Sequence, residues 1–86
     1  MPRISFFYGI AVYMYFRDHA PPHFHAMYGE HEGVFDLQSI ELMAGRLPNR
    51  AHSLVAEWAR IRQDELRANW ERAQAGEPLV GIAPLD

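Results

Sequence analysis

The chain has 86 residues, no cysteine, and eight basic side chains, all arginine, against eleven acidic ones for a net charge of −3. A chain this short forms one domain that buries about 60–65% of its unfolded surface. The lack of thiols excludes disulfides and thiolate metal sites and fits a reducing compartment. Arginines are spread over both halves, so no basic patch favours nucleic acid as a partner.

The opening Met1-Pro2-Arg3-Ile4 has no apolar core of a signal peptide. The apolar run Phe6 to Phe16 is too short to span a bilayer and is interrupted by Gly9. These features predict a soluble cytoplasmic protein with no membrane segment. Ile4–Phe7 reads as a first strand, with Tyr8-Gly9 as a turn. Ile10–Phe16 then alternates, with Ile10, Val12, Met14 and Phe16 on one face and Ala11, Tyr13, Tyr15 and Arg17 on the other. Asp18–Pro22 is a connection, because its prolines lack the N–H groups a ladder needs.

His23–Tyr28 is the next strand, Gly29-Glu30-His31 a hairpin turn, and Val34–Leu37 the returning strand. Ile40–Met43 could add a fifth, ended by Ala44-Gly45. From Asn49, a good N-cap, the period becomes helical and runs to Ala75, with Gly76 as its stop. Leu54, Val55, Trp58 and Ile61 make one stripe, and Leu66, Trp70 and Ala73 continue it with a rotational drift. That drift means either a curved helix or a break near Arg62-Gln63. The pairs Arg60–Asp64 and Arg67–Glu71 have the spacing of a solvated face. The fold predicted is α+β: an antiparallel meander sheet of four to five strands with one long C-terminal helix packed on one face. Residues 1–46 are the sheet half, 47–76 the helix and 77–86 an extended C-terminal arm.

The segment Asp18-His19-Ala20-Pro21-Pro22-His23-Phe24-His25 holds three of the five histidines. Side chains alternate along a strand, so His23 and His25 point the same way with Cα atoms roughly 6.5–7 Å apart. Four roles are open to them. With His19, and with Asp18, His31 or Asp36 as a further ligand, they could hold a divalent transition metal such as zinc, nickel or iron. Alternatively His23 and His25, with Arg17 and a tyrosine, could do metal-free chemistry on RNA as general base, acid and anion stabiliser, although the acidic balance opposes phosphate unless Arg17 and helix arginines converge. The aromatic face that includes Tyr13 and Tyr15 could instead dock a small protein partner or a second copy of the chain. Finally, Pro21-Pro22 could simply set a turn while the histidines bond to backbone groups. Trp58 and Trp70 sit on the helix stripe and are expected in the core.

The order D-H-A-P-P-H-F-H-A-M-Y-G, from Asp18 to Gly29, resembles the signature of small bacterial proteins catalogued as domain of unknown function 4160. That signature is an Asp/Glu-His-x-Pro-Pro-His-x-His block followed by Gly, matched here by Asp18, His19, Pro21, Pro22, His23, His25 and Gly29. The similarity extends to the opening strands, to Ala-Asn-Trp-Glu-Arg-Ala around Trp70, and to the closing Ile82-Ala83-Pro84-Leu85. It implies genes found beside a second short protein, in pairs suspected of being toxin–antitoxin modules. The expectation is therefore a cytoplasmic protein acting through a protein partner, one half of such a pair, with the histidine cluster as its polar site. The alternative is a His-dependent enzyme, either a metal-bound hydrolase or a metal-free ribonuclease. Sequence leaves open the face that carries His23 and His25, and whether Pro21 or Pro22 is cis.

Overall fold

Alternating apolar residues and two tight turns make the first half a sheet. In the computed structural model, which describes residues 2–86, the strands are β1 (Arg3–Phe7), β2 (Ile10–Tyr13), β3 (His23–Tyr28), β4 (His31–Asp36) and β5 (Leu42–Gly45). All neighbours are antiparallel and the spatial order follows the chain. The β1–β2 turn places Tyr8 and Gly9 at φ 50° and 78°, the doubly left-handed geometry of a type I′ hairpin. The β3–β4 turn has Gly29 at φ 58°, where a side chain would be strained.

One face is apolar. Ile10, Val12, Phe24, Ala26 and Phe35 are buried there with Val55, Trp58 and Leu66 from the helices. Trp58 packs 5.2 Å from Phe7 and 6.0 Å from Phe24, measured between ring centroids. Across the other face the register aligns Tyr13, His25, Val34 and Ala44 in one row over four strands. This row stays partly open to solvent.

The single long helix expected from the sequence is in fact two: α1 (Asn49–Ile61) and α2 (Gln63–Ala75). Arg62, at φ −103° and ψ 19°, breaks them at the place where the apolar stripe drifts. The break lets Val55, Trp58 and Leu66, Trp70 each reach the core, and lets Gln63 donate to the carbonyls of Leu37 and Gln38. Asn49 does not cap: it is the first helical residue, after Pro48, and no side chain bonds the α1 N-terminus. Strand limits shift as well. β2 stops at Tyr13, leaving Phe16 46% exposed rather than inward. β4 starts at His31, since Tyr28 and His31 pair across a turn of only Gly29-Glu30. β5 runs Leu42–Gly45, because Ile40 takes φ 60° and its N–H closes a turn onto Asp36.

The arm after Gly76 lies against the rest of the chain through backbone bonds. Buried Asn69 donates to the Val80 carbonyl and accepts the Val80 N–H, and Trp58 donates to the Ala83 carbonyl. Ile82 N–H donates to the Ile4 carbonyl, and the Ser5 hydroxyl donates to the Ile82 carbonyl. Among the described residues no helix is long and apolar enough to cross a membrane.

Asp36 organises the turn before β5, its carboxylate accepting the N–H groups of Gln38 and Ser39 at 2.8 and 3.0 Å. Those bonds to Ser39 and Gln38 hold its carboxyl below the usual carboxylate range. Asp36→Ala should cost about 1–2 kcal/mol at pH 7. A depressed pKa stabilises the fold above the unfolded value and loses that effect as pH falls through the folded one. Urea unfolding should therefore show the gap between wild type and Asp36→Ala narrowing below about pH 4. A gap that widens in acid would contradict this role.

Candidate metal centre

His23 opens β3 and His25 follows two residues on, so the strand itself aims both rings the same way. Asp18 comes from the connection before them, in which Ala20-Pro21 is cis. Contacts distant in sequence position this connection. Arg17 N–H donates to the Ala73 carbonyl at 3.1 Å, Gln74 donates to the Asp18 carbonyl at 2.9 Å, and Leu37 N–H donates to the Pro22 carbonyl at 2.9 Å. The His23 ring lies beside Trp70 of α2, 5.3 Å between centroids. The site therefore sits where the open sheet face meets the end of α2.

His23 Nδ1 is 2.7 Å from the Pro21 carbonyl, which only accepts, so that nitrogen carries a proton. Its Nε2 lies 2.9 Å from Asp18 Oδ2. In a neutral ring that would set a nitrogen lone pair against a carboxylate oxygen, and a cation between them, proton or metal, relieves the clash. His25 repeats the pattern. Its Nδ1 faces Glu32 Oε2 at 3.1 Å and its Nε2 points at the same Asp18 Oδ2 from 3.6 Å. Among the described residues His25 Nε2 is the buried side-chain polar atom left without a hydrogen bond. One donor atom each from Asp18, His23 and His25 lie within 4.8 Å of one another. Two imidazoles and a carboxylate with outer acceptors on both Nδ1 atoms form a recurrent transition-metal donor set.

The electrostatics favour a cation. Burial pushes the Asp18 carboxyl up, but the His19 N–H and the His23 ring outweigh it and hold it below the usual range. Tyr15 packs edge-on against His25, with centroids 4.6 Å apart. Burial, and then the Glu32 charge, push its phenol pKa up, so it stays neutral. A cavity of about 300 Å³ opens beside the three donors, lined also by His19, Pro21, Val34, Met43 and Ala44. A second cavity of about 200 Å³, between Tyr8, Tyr28 and Arg50, has no comparable set of converging donors.

Among the residues marked out by the sequence, Asp18, His23 and His25 come together. His19 stays at the rim, its side chain 90% exposed and its Nδ1 3.0 Å from the other Asp18 oxygen, Oδ1. Arg17 is not brought to the histidines: a Cβ on Gly76, at the end of α2, would lie 2.7 Å from its Nη2. His31 is in the β3–β4 hairpin opposite Tyr28, and Asp36 serves the turn. Tyr13 pairs across the sheet with His25, and Tyr15 flanks the ring. Sequence reasoning missed Glu32. Starting β4 at Val34 left Glu32 beyond the strand, whereas a two-residue turn at Gly29-Glu30 would have placed it diagonal to His25.

Neither a curated protein nor a solved structure matches the chain. One family model does, described as Domain of unknown function (DUF4160), over residues 9–71. That span includes Asp18, His23, His25, Glu32 and Trp70 and stops short of the C-terminal arm. The chain, matched over most of its length, belongs to the DUF4160 family.

Proposed function

We propose that Asp18, His23 and His25 bind one divalent transition-metal ion and that this ion is the protein's working group. The convergence of both Nε2 atoms on Asp18 Oδ2 carries the reading, with each Nδ1 already occupied by an outer acceptor. Nitrogen and oxygen donors without sulfur suit zinc, iron(II) or nickel. A metal-bound hydrolase is favoured over a metal-free ribonuclease, because no arginine lines the cavity to stabilise a phosphate. Titration calorimetry with zinc should give one site per chain. Fluorescence of Trp70, in ring contact with His23, should change with the same midpoint. The His23→Ala/His25→Ala variant should fold and lose both signals. Heat and fluorescence signals that survive the double change would sink the proposal.

A second reading is action through a protein partner, as one half of a toxin–antitoxin-like pair in the cytoplasm. Its support is the open sheet face around Tyr13 and Tyr15, flanked by Phe6, 51% exposed, and Met43, 45% exposed. Light scattering of the protein co-expressed with the product of a neighbouring gene should show a complex, and a monomer under those conditions would count against it.

A further inference from the structure

We infer that the cavity beside Asp18, His23 and His25 takes a small uncharged substrate bearing a carbonyl group, an ester or amide, and hydrolyses it. This inference rests on the metal reading above. Three protein donors leave at least one position free on a zinc ion, as in catalytic zinc sites. The free space next to the donors is the cavity of about 300 Å³. That volume lies at the lower limit for small-molecule sites, so little more than the reacting group and a short side chain fits.

The walls select against charge. Pro21, Val34, Met43 and Ala44 offer an apolar surface, the one further lining side chain, His19, is tied to Asp18 at 3.0 Å, and there is no arginine. Arg17 lies against Gly76, and Arg3 sits over the Phe6 ring, 5.1 Å from its centroid. A phosphate or carboxylate substrate would find no guanidinium fork to bind it. It would instead meet the field of Glu32, bonded to His25, and of Asp36, cross-strand from His23. With Asp18 these carboxylates outnumber the two positive charges of a divalent ion. An uncharged carbonyl group pays no such repulsion.

For an ester the reaction is a balanced hydrolysis. The oxygen of water bonds to the acyl carbon, the carbon–oxygen bond to the alcohol breaks, and the alcohol leaves with a proton from that water. The metal supplies polarisation of the carbonyl and a lowered water pKa. The chain holds the ion through Asp18, His23 and His25 and keeps the apolar wall against the acyl group.

The test uses the full chain loaded with zinc, after calorimetry has established binding, and two probes: 4-nitrophenyl acetate and bis(4-nitrophenyl) phosphate. Rates are compared with the His23→Ala/His25→Ala variant at equal free zinc, which subtracts hydrolysis by free zinc and by His19, His31 and His52. The acetate should be cleaved at least about tenfold faster by the wild type, and the phosphodiester no faster than by the variant. Ala44→Arg, at an exposed position on β5, should shift the preference toward the phosphodiester by about tenfold. Absent zinc binding would overturn the metal reading itself. Zinc binding with the phosphodiester cleaved as well as the acetate, or with neither cleaved above the variant, would overturn only the substrate inference.

Discussion

Zinc at about a hundred times its dissociation constant should raise the unfolding free energy by about 2.7 kcal/mol, since only the folded chain assembles the site. For a domain this small that is a rise of roughly 10–20 °C in Tm. The structure explains why the dissociation constant itself should be low. His23 and His25 are already aimed by the strand, and their Nδ1 atoms are already bonded to Pro21 and Glu32. Little ordering is left for the metal to impose. Without a metal, His25 Nε2 stays buried and unpaired, which itself weakens the fold. Thermal melts followed by circular dichroism measure the shift. Magnesium should leave Tm unchanged, because a hard ion prefers oxygen ligands and keeps its water. The double alanine variant should melt at one temperature with or without zinc. A wild-type Tm indifferent to zinc would refute the site.

Glu32→Ala should lower zinc affinity about 10–100-fold while leaving the fold intact. Glu32 touches no candidate ligand atom; it accepts the Nδ1 proton of His25 at 3.1 Å. That bond orients the ring and keeps Nε2 free to bind metal, so Glu32 is a positioning residue. Its side chain is 46% exposed, so truncation leaves no cavity in the core. Competition with a chromophoric chelator measures the affinity. Glu32→Gln, whose amide oxygen can still accept the proton, should recover part of the loss. Glu30→Ala, in the same hairpin but outside the site, should bind zinc like the wild type. Equal affinity in Glu32→Ala and wild type would mean that the ring is held by Tyr15 packing alone.

Sequence by itself was enough for the α+β class, for the strand that begins at His23, and for the shared direction of His23 and His25. Each of these depends on periodicity over a few residues, a property of the backbone that neighbours impose locally. The drift of the apolar stripe also pointed at Arg62, though it did not decide between a bend and a break. Only the tertiary structure made that decision, because the break is held by Gln63 reaching the carbonyls of Leu37 and Gln38, 26 and 25 residues away. The same holds for the site's membership. Asp18, His19 and Arg17 are adjacent in the chain, yet one joins the histidines, one stays at the rim and one turns to Gly76. Their directions are set by α2, through Ala73 and Gln74, more than fifty residues downstream. Glu32 entered through hairpin register. Local pattern decides which residues share a face, and the path of a connection between faces is decided by whatever it packs against.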